Sequence, residues 1–226
     1  GWNNRNTGYN PYMTEGKKTA GLEILEDLDW NPPDAIFVSV GDGSIMGGVH
    51  KAIKDALALG WIDAAPRIFG IQSEGSDYLV QAFEAGEDVV IKPPIVADTI
   101  ADSISADLPR DRVKAMAAVV ETDGAYLRVS DDAILASIPT LARGSGVFAE
   151  PAGAAAHTGL VEAISRGLLE PTDEVVIIAT GSGLKDVASA MTAVAAIGTE
   201  PMRIAPDLAA LQSALEARKE IGRAHV

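Results

Sequence analysis

Strands that alternate with helices along the whole chain, two strands that are apolar without alternation, and a glycine turn after each of those two predict an α/β fold. The predicted architecture is a mostly parallel sheet in a three-layer sandwich. The two apolar strands are AIFVSV (residues 35–40) and EVVIIAT (residues 174–180). A strand that does not alternate is covered on both faces, and such strands belong to parallel sheets between helical layers.

The elements follow in order. Residues 1–12, GWNNRNTGYNPY, are rich in Asn and Gly, show no period and read as a loop. Residues 14–27 open on Thr14 as a cap and space Ala20, Leu22, Ile24 and Leu25 along one side of a helix. NPPD then breaks that helix. After strand 35–40 and its glycine turn, a helix runs through Leu59. RIFGIQ (67–72) is a strand and residues 76–85 a helix. Residues 92–107 mix loop and short-helix signals and stay unassigned. A helix at 110–120, a strand AYLRV and a helix at 130–143 capped by Ser130 come next. GVFAE reads as a short strand, and residues 151–166 as a helix with Pro151 in its first turn. Strand 174–180, a helix at 185–194, and a last short strand and helix in MRIAPDLAALQSALEAR complete the chain.

The 226 residues suffice to bury a core in one large domain or two small ones, and composition marks no linker. Asp and Glu number 32 against 18 Lys and Arg, a net charge of −14. That balance opposes binding to the phosphate backbone of nucleic acid, so any anion must be held locally. No apolar run approaches the roughly 18 residues that span a bilayer. There is no cysteine, which excludes disulfides and thiolate chemistry and fits a cytoplasmic location. The first residue is Gly1, and the tail IGRAHV (221–226) matches a translated sequencing-adapter sequence. The expectation is one domain over residues 1–220, missing its N-terminal part, followed by a non-native tail. A parallel sheet lacking strands would expose apolar edges, so the isolated chain is expected to aggregate or be molten.

Ligands of open α/β sheets sit at the carboxyl ends of strands. Two glycine turns occupy such ends: Gly41-Asp42-Gly43-Ser44-Ile45 and Thr180-Gly181-Ser182-Gly183. Glycine admits close backbone approach, and N–H groups at the start of the following helix attract phosphate. Asp42 must turn its carboxylate away from such an anion. The alternative reading of each is a tight strand-to-helix turn without a ligand. The spacing Gly41-x-Gly43-x-x-x-Gly47 departs from the dinucleotide fingerprint, and no Gly-Lys-Ser/Thr follows to make a P-loop. No G-x-S-x-G elbow is present. His50, His157 and His225 are isolated, so no metal site is expected.

Four stretches in order carry a family resemblance: NPYMTEGKKTAGLEI (10–24), SVGDGSIMGGVHKA (39–52), VFAEPAGAAAHTGL (147–160) and IATGSGLKD (178–186). Over about residues 1–195 they resemble the threonine synthase branch of the tryptophan-synthase-β-like, fold type II pyridoxal-phosphate enzymes. The resemblance implies pyridoxal 5'-phosphate as cofactor, its phosphate cradled by Gly41, Asp42, Gly43, Ser44 and Ile45. Asp42 stands where several relatives carry Asn. Thr180 is implied to face the pyridine nitrogen with its hydroxyl. Glu150 matches a position near the cofactor, with capping of the helix at Pro151 as its alternative role.

The resemblance also implies a Schiff-base lysine in a Ser-x-Lys-x-Arg-like motif. Lys17, Lys18, Lys51, Lys54 and Lys185 lack those flanks and read as solvated helix surface, although the resemblance implies that Lys17 and Lys18 match family positions other than the catalytic one. No catalytic residue is therefore assigned within this chain. The lysine is expected upstream, and the chain alone is expected to be inactive. The implied reaction converts O-phosphohomoserine and water to threonine and phosphate in an enzyme that acts on a small amino acid as a homodimer. Met13 and Ile45 depart from the Arg and Asn that relatives use toward the substrate phosphate, and Arg5 is the residue available to compensate. The alternatives are a threonine or serine dehydratase or ammonia-lyase and, in another class, a non-catalytic domain that binds a small anionic metabolite.

Overall fold

A computed structural model describes residues 7–198 and 203–223. Its four strands are β1 (Ala35–Ser39), β2 (Arg67–Ser73), β3 (Tyr126–Val129) and β4 (Val175–Ile178), all parallel, in the spatial order β3-β2-β1-β4. The chain steps outward from β1 to β3 and then returns to the other side of β1. Ala35 pairs with Arg67 on one side and Val175 on the other, so the carboxyl ends of β1 and β4 lie together. That reversal is the topological switch point at which such sheets open a crevice.

The strands carry apolar side chains on both faces, and each face packs against its own helices. Ile36, Val38 and Ile68 join a core with α2 (Ser44–Ala58), α3 (Tyr78–Ala85) and α4 (Arg112–Glu121). Leu25 of α1 (Pro11–Asp27) belongs to the same core. Ala35, Phe37, Phe69 and Ile71 face α5 (Asp131–Ser145) and α6 (Pro151–Ser165). Phe37 and Phe69 stack with ring centroids 4.7 Å apart. The three-layer α/β sandwich is thus the observed fold. α7 (Val187–Ala196) follows β4, and α8 (Leu208–Arg223) belongs to a second compact unit, Val194–Val226, the first being Gly1–Ala193.

Local readings fare unevenly. Ser130 caps α5 by accepting from the Ala133 N–H at 3.2 Å, and Pro151 opens α6. Thr14 is not a cap. The first helix starts three residues earlier, at Pro11, with Asn10 accepting from the Tyr12 N–H. Thr14 is instead buried and donates to Asp111 at 3.0 Å. GVFAE is not a strand. Its backbone pairs with the turn after β4, through the single bridge of Ala149 with Ser182, and so leaves the sheet at four strands. No strand forms at 203–205. Arg5, His225 and residues 224–226 of the tail lie outside the described residues.

Candidate functional site

The glycine turn after β1 ends in Gly43, the N-cap of α2, with φ 89°. An L side chain rarely adopts that conformation, and a Cβ there would also meet the Ala115 Cβ at 2.7 Å. Glycine has no side chain with which to cap, so the N–H groups of the first turn of α2 have no side-chain partner. They converge with the positive end of the helix dipole on the crevice. Asp42 does not neutralise them. Its Oδ2 accepts from the Thr7 hydroxyl at 2.9 Å and its Oδ1 from the Arg110 N–H at 3.3 Å. The Asp42 carbonyl also accepts from the Asp111 N–H, which ties the turn to α4.

The turn after β4 forms the facing wall. Gly153 in α6 lets that helix lie against it, since a Cβ at 153 would sit 1.7 Å from the Thr180 carbonyl oxygen. Glu150 is buried (7% exposed) and occupies the N-cap position of α6, yet makes no capping hydrogen bond. The capping role is therefore overturned. Its Oε1 instead accepts from Lys185 Nζ at 2.7 Å and from Ser103 Oγ at 3.3 Å. The ion pair joins α6 to the 3-10 turn Gly183–Lys185. Ser103 belongs to the stretch left unassigned in the sequence, which is mostly irregular with one 3-10 turn, Asp102–Ile104, and closes over the crevice.

Together these elements line a half-open cavity of ≈ 390 Å³. Gly41, Asp42, Gly43, Ser44, Ile45 and Thr180 all line it, as do Ser103–Ala106, Glu150 and Lys185. Two further residues line it, Ser39, which carries no sequence signal, and Lys17, which the sequence places only on a helix surface. Ser39, the last residue of β1, is 4% exposed, and its hydroxyl has no hydrogen-bond partner. A buried hydroxyl left unpaired at a cavity wall is a group waiting for a ligand atom. Lys17 arrives from α1, which crosses α2 closely because position 48 is glycine. A Cβ at Gly48 would meet the Lys17 Cβ at 2.7 Å. Lys17 is half-buried in the cavity lining, whereas Lys185 is solvent-exposed as expected but lies on a 3-10 turn and pairs with Glu150. Lys18, Lys51 and Lys54 fit the expected helix surface, paired with Asp55 or Glu121. Met13 is half-buried on α1 and does not line the cavity.

The sequence profile of the pyridoxal-phosphate dependent enzyme family matches residues 1–181. A threonine synthase of Methanocaldococcus jannaschii is 34% identical over 208 residues, 92% of this chain and 50% of the relative. One from Methanosarcina acetivorans is 38% identical over 177 residues, 78% of this chain and 44% of the relative. Among solved structures, the processed threonine deaminase isoform 2 of Solanum lycopersicum superimposes with a TM-score of 0.66. It is 21% identical and covers 84% of this chain and 51% of its own. An L-serine ammonia-lyase of Rhizomucor miehei gives 0.61 at 23% identity, over 75% of this chain and 52% of its own. The likeness to these two is one of fold, that of the fold type II enzymes. The chain belongs to the pyridoxal-phosphate dependent enzyme family. It spans about half the length of the curated relatives it matches.

The cavity fits that cofactor on its own geometry. An uncapped helix start suits a phosphate, the adjacent carboxylate is engaged elsewhere, and an orphaned hydroxyl lies on the wall between the two glycine turns.

Proposed function

We propose that this chain is the cofactor-cradling part of a threonine synthase, which converts O-phosphohomoserine and water to threonine and phosphate. The observation that carries the reading is the convergence of both glycine turns on one cavity at the switch point of the sheet. The N–H groups of residues 41–45 and the start of α2 hold the cofactor phosphate. Thr180, on the cavity wall, would offer its hydroxyl to the pyridine nitrogen. A neutral hydroxyl does not keep a proton there as a carboxylate would, so the ring withdraws electrons less strongly. The cofactor, when bound, supplies the electron sink that lets the amino acid lose its α-proton and its leaving group. Glu150 and Lys185 hold the wall around Thr180 and keep the Glu150 charge compensated. The Schiff-base lysine belongs to the part of the relatives that this chain does not span.

The dehydratase reading is the second one. Met13 and Ile45 favour it, because both lack the polar group expected toward a substrate phosphate. The test is to extend the source DNA past the codon for Gly1, express the complete gene and assay it. Phosphate release from O-phosphohomoserine with threonine as product is the expected outcome. Ammonia and a 2-oxoacid from threonine or serine, with no phosphate release, would transfer the assignment to the dehydratases.

A further inference from the structure

The cavity wall carries two lysines and two carboxylates. Three of these four charges are already engaged. Lys185 pairs with Glu150 at 2.7 Å, and Asp42 accepts from Thr7 and the Arg110 N–H. Lys17 is different. Its Nζ reaches only the Met13 carbonyl, at 3.5 Å, the outer limit of a hydrogen bond. Among the described side chains, Lys18, Lys51, Lys54, Lys92, Lys114 and Lys185 all make ion pairs, and Lys17 alone makes none.

That exception is physically odd. The chain carries a net charge of −14, so carboxylates are abundant partners for any lysine. Lys17 is half-buried and has no carboxylate partner among the described residues, which leaves its charge available to an anion in the cavity. The close crossing of α1 over Gly48 brings Lys17 into the lining of the cavity. It shares that wall with Ser44, Ile45 and Met46, the first turn of α2, so helix dipole and ammonium act on the same space.

We infer that Lys17 is a specificity-determining residue that receives the phosphate ester of the amino-acid substrate, in a subsite beside the cofactor cradle. This rests on the cofactor reading above. The backbone N–H groups of the glycine turn satisfy the cofactor phosphate, and Lys17 is the cavity cation left for a second anion. A compact ammonium on a flexible stem serves a phosphate dianion as a point charge, and a guanidinium can take the same place. A hydroxy amino acid without the phosphate gains nothing from Lys17.

The test is calorimetric titration of the full 226-residue chain and its Lys17→Gln and Lys17→Arg variants. Pyridoxine 5'-phosphate is added first, because its alcohol group cannot form adducts with lysines. O-phospho-L-homoserine and L-homoserine are then titrated onto the loaded chain. Both carry the same α-carboxylate, so their difference isolates the phosphate. The expected result has three parts. Lys17→Gln weakens O-phosphohomoserine at least tenfold, Lys17→Arg restores most of that loss, and homoserine and pyridoxine 5'-phosphate change less than twofold. Unchanged O-phosphohomoserine binding in Lys17→Gln would overturn the role of Lys17 while leaving the cofactor reading intact. An equal loss of pyridoxine 5'-phosphate binding would assign Lys17 to the cofactor cradle and overturn the separate subsite. Absence of saturable pyridoxine 5'-phosphate binding to the unaltered chain would remove both readings together. Circular dichroism of each variant establishes that it is folded.

Discussion

Gln72 shows how a single buried polar residue couples sheet and helix. It is fully buried on β2, and its Oε1 accepts from the Leu79 and Val80 N–H groups in the first turn of α3 at 2.8 and 3.1 Å. Its Nε2 donates to the Val40 carbonyl, one residue before the glycine turn. Gln72→Leu leaves these groups unpaired in the core, and the expected loss is about 2–4 kcal/mol in urea unfolding. A loss below about 0.5 kcal/mol would show that the clamp is dispensable. His50 gives a pH dependence. It is 6% exposed, with Nε2 3.3 Å from Glu121 Oε2 and Lys54 paired to the same carboxylate. Burial holds its pKa below the ordinary 6.5, outweighing Glu121. The unfolded chain therefore takes up a proton near that value while the folded chain does not. Stability is fully present above the unfolded pKa and falls as pH drops through the folded one. His157, beside Ser137, has its pKa lowered by burial in the same direction. Replacing both histidines by Gln flattens the change of melting temperature between about pH 7 and pH 5. An unchanged slope would mean that other groups control it. Gln72 carries no signal in the sequence, and Lys17 shows there a family match but no place in the cavity. Each acts on an element remote in sequence, and no local pattern reports what a helix crossing or a strand delivers.

At the scale of elements, the glycines of α2 and α6 set the distances that build the site. Gly153→Ala places a methyl group 1.7 Å from the Thr180 carbonyl oxygen, so α6 or the turn must move. The expected cost is about 1–3 kcal/mol, and cofactor-analogue affinity falls with it. Calorimetric affinity equal to that of the unaltered chain would show that Thr180 is placed by other contacts. Gly43→Val strains the αL turn and collides with Ala115, and its effect falls on the phosphate cradle itself. The four sheet strands were legible because long apolar or β-branched runs bounded by turns have few alternatives to a covered strand. GVFAE has the same local look, yet Val147 and Phe148 are 41% and 40% exposed. Its backbone is committed to the 181–183 turn, a tertiary pairing invisible in the segment itself. Thr14 misled for a related reason. A threonine three residues into a helix serves a distant partner, Asp111, as well as it would serve a cap.

For the whole molecule, the sheet order concentrates function at one end. β1 is the strand between the outward and returning halves of the chain, and both glycine turns follow from that position. The motifs were legible one by one, and their convergence needed the order of the strands. β4 pairs with β1 alone among the described residues, and all four of its residues are only half-buried. An edge of that kind recruits further strands. Both faces of the sheet are nevertheless packed, so the expected behaviour of the 226-residue chain is cooperative unfolding with concentration-dependent self-association. Light scattering across a dilution series together with near-ultraviolet circular dichroism checks both parts. A strictly monomeric chain would show that the β4 edge is covered, and a loss of near-ultraviolet signal would point to a molten state.

The central claim is that the uncapped start of α2 and its glycine turn bind the phosphate of the cofactor. The most direct measurement compares pyridoxine 5'-phosphate with pyridoxine by calorimetric titration of the unaltered chain and of Gly43→Val. The expected result is saturable binding of the phosphorylated form, at least tenfold weaker binding without the phosphate, and loss of that difference in Gly43→Val. Equal affinity for the two ligands, or a phosphate preference that survives Gly43→Val, would contradict it.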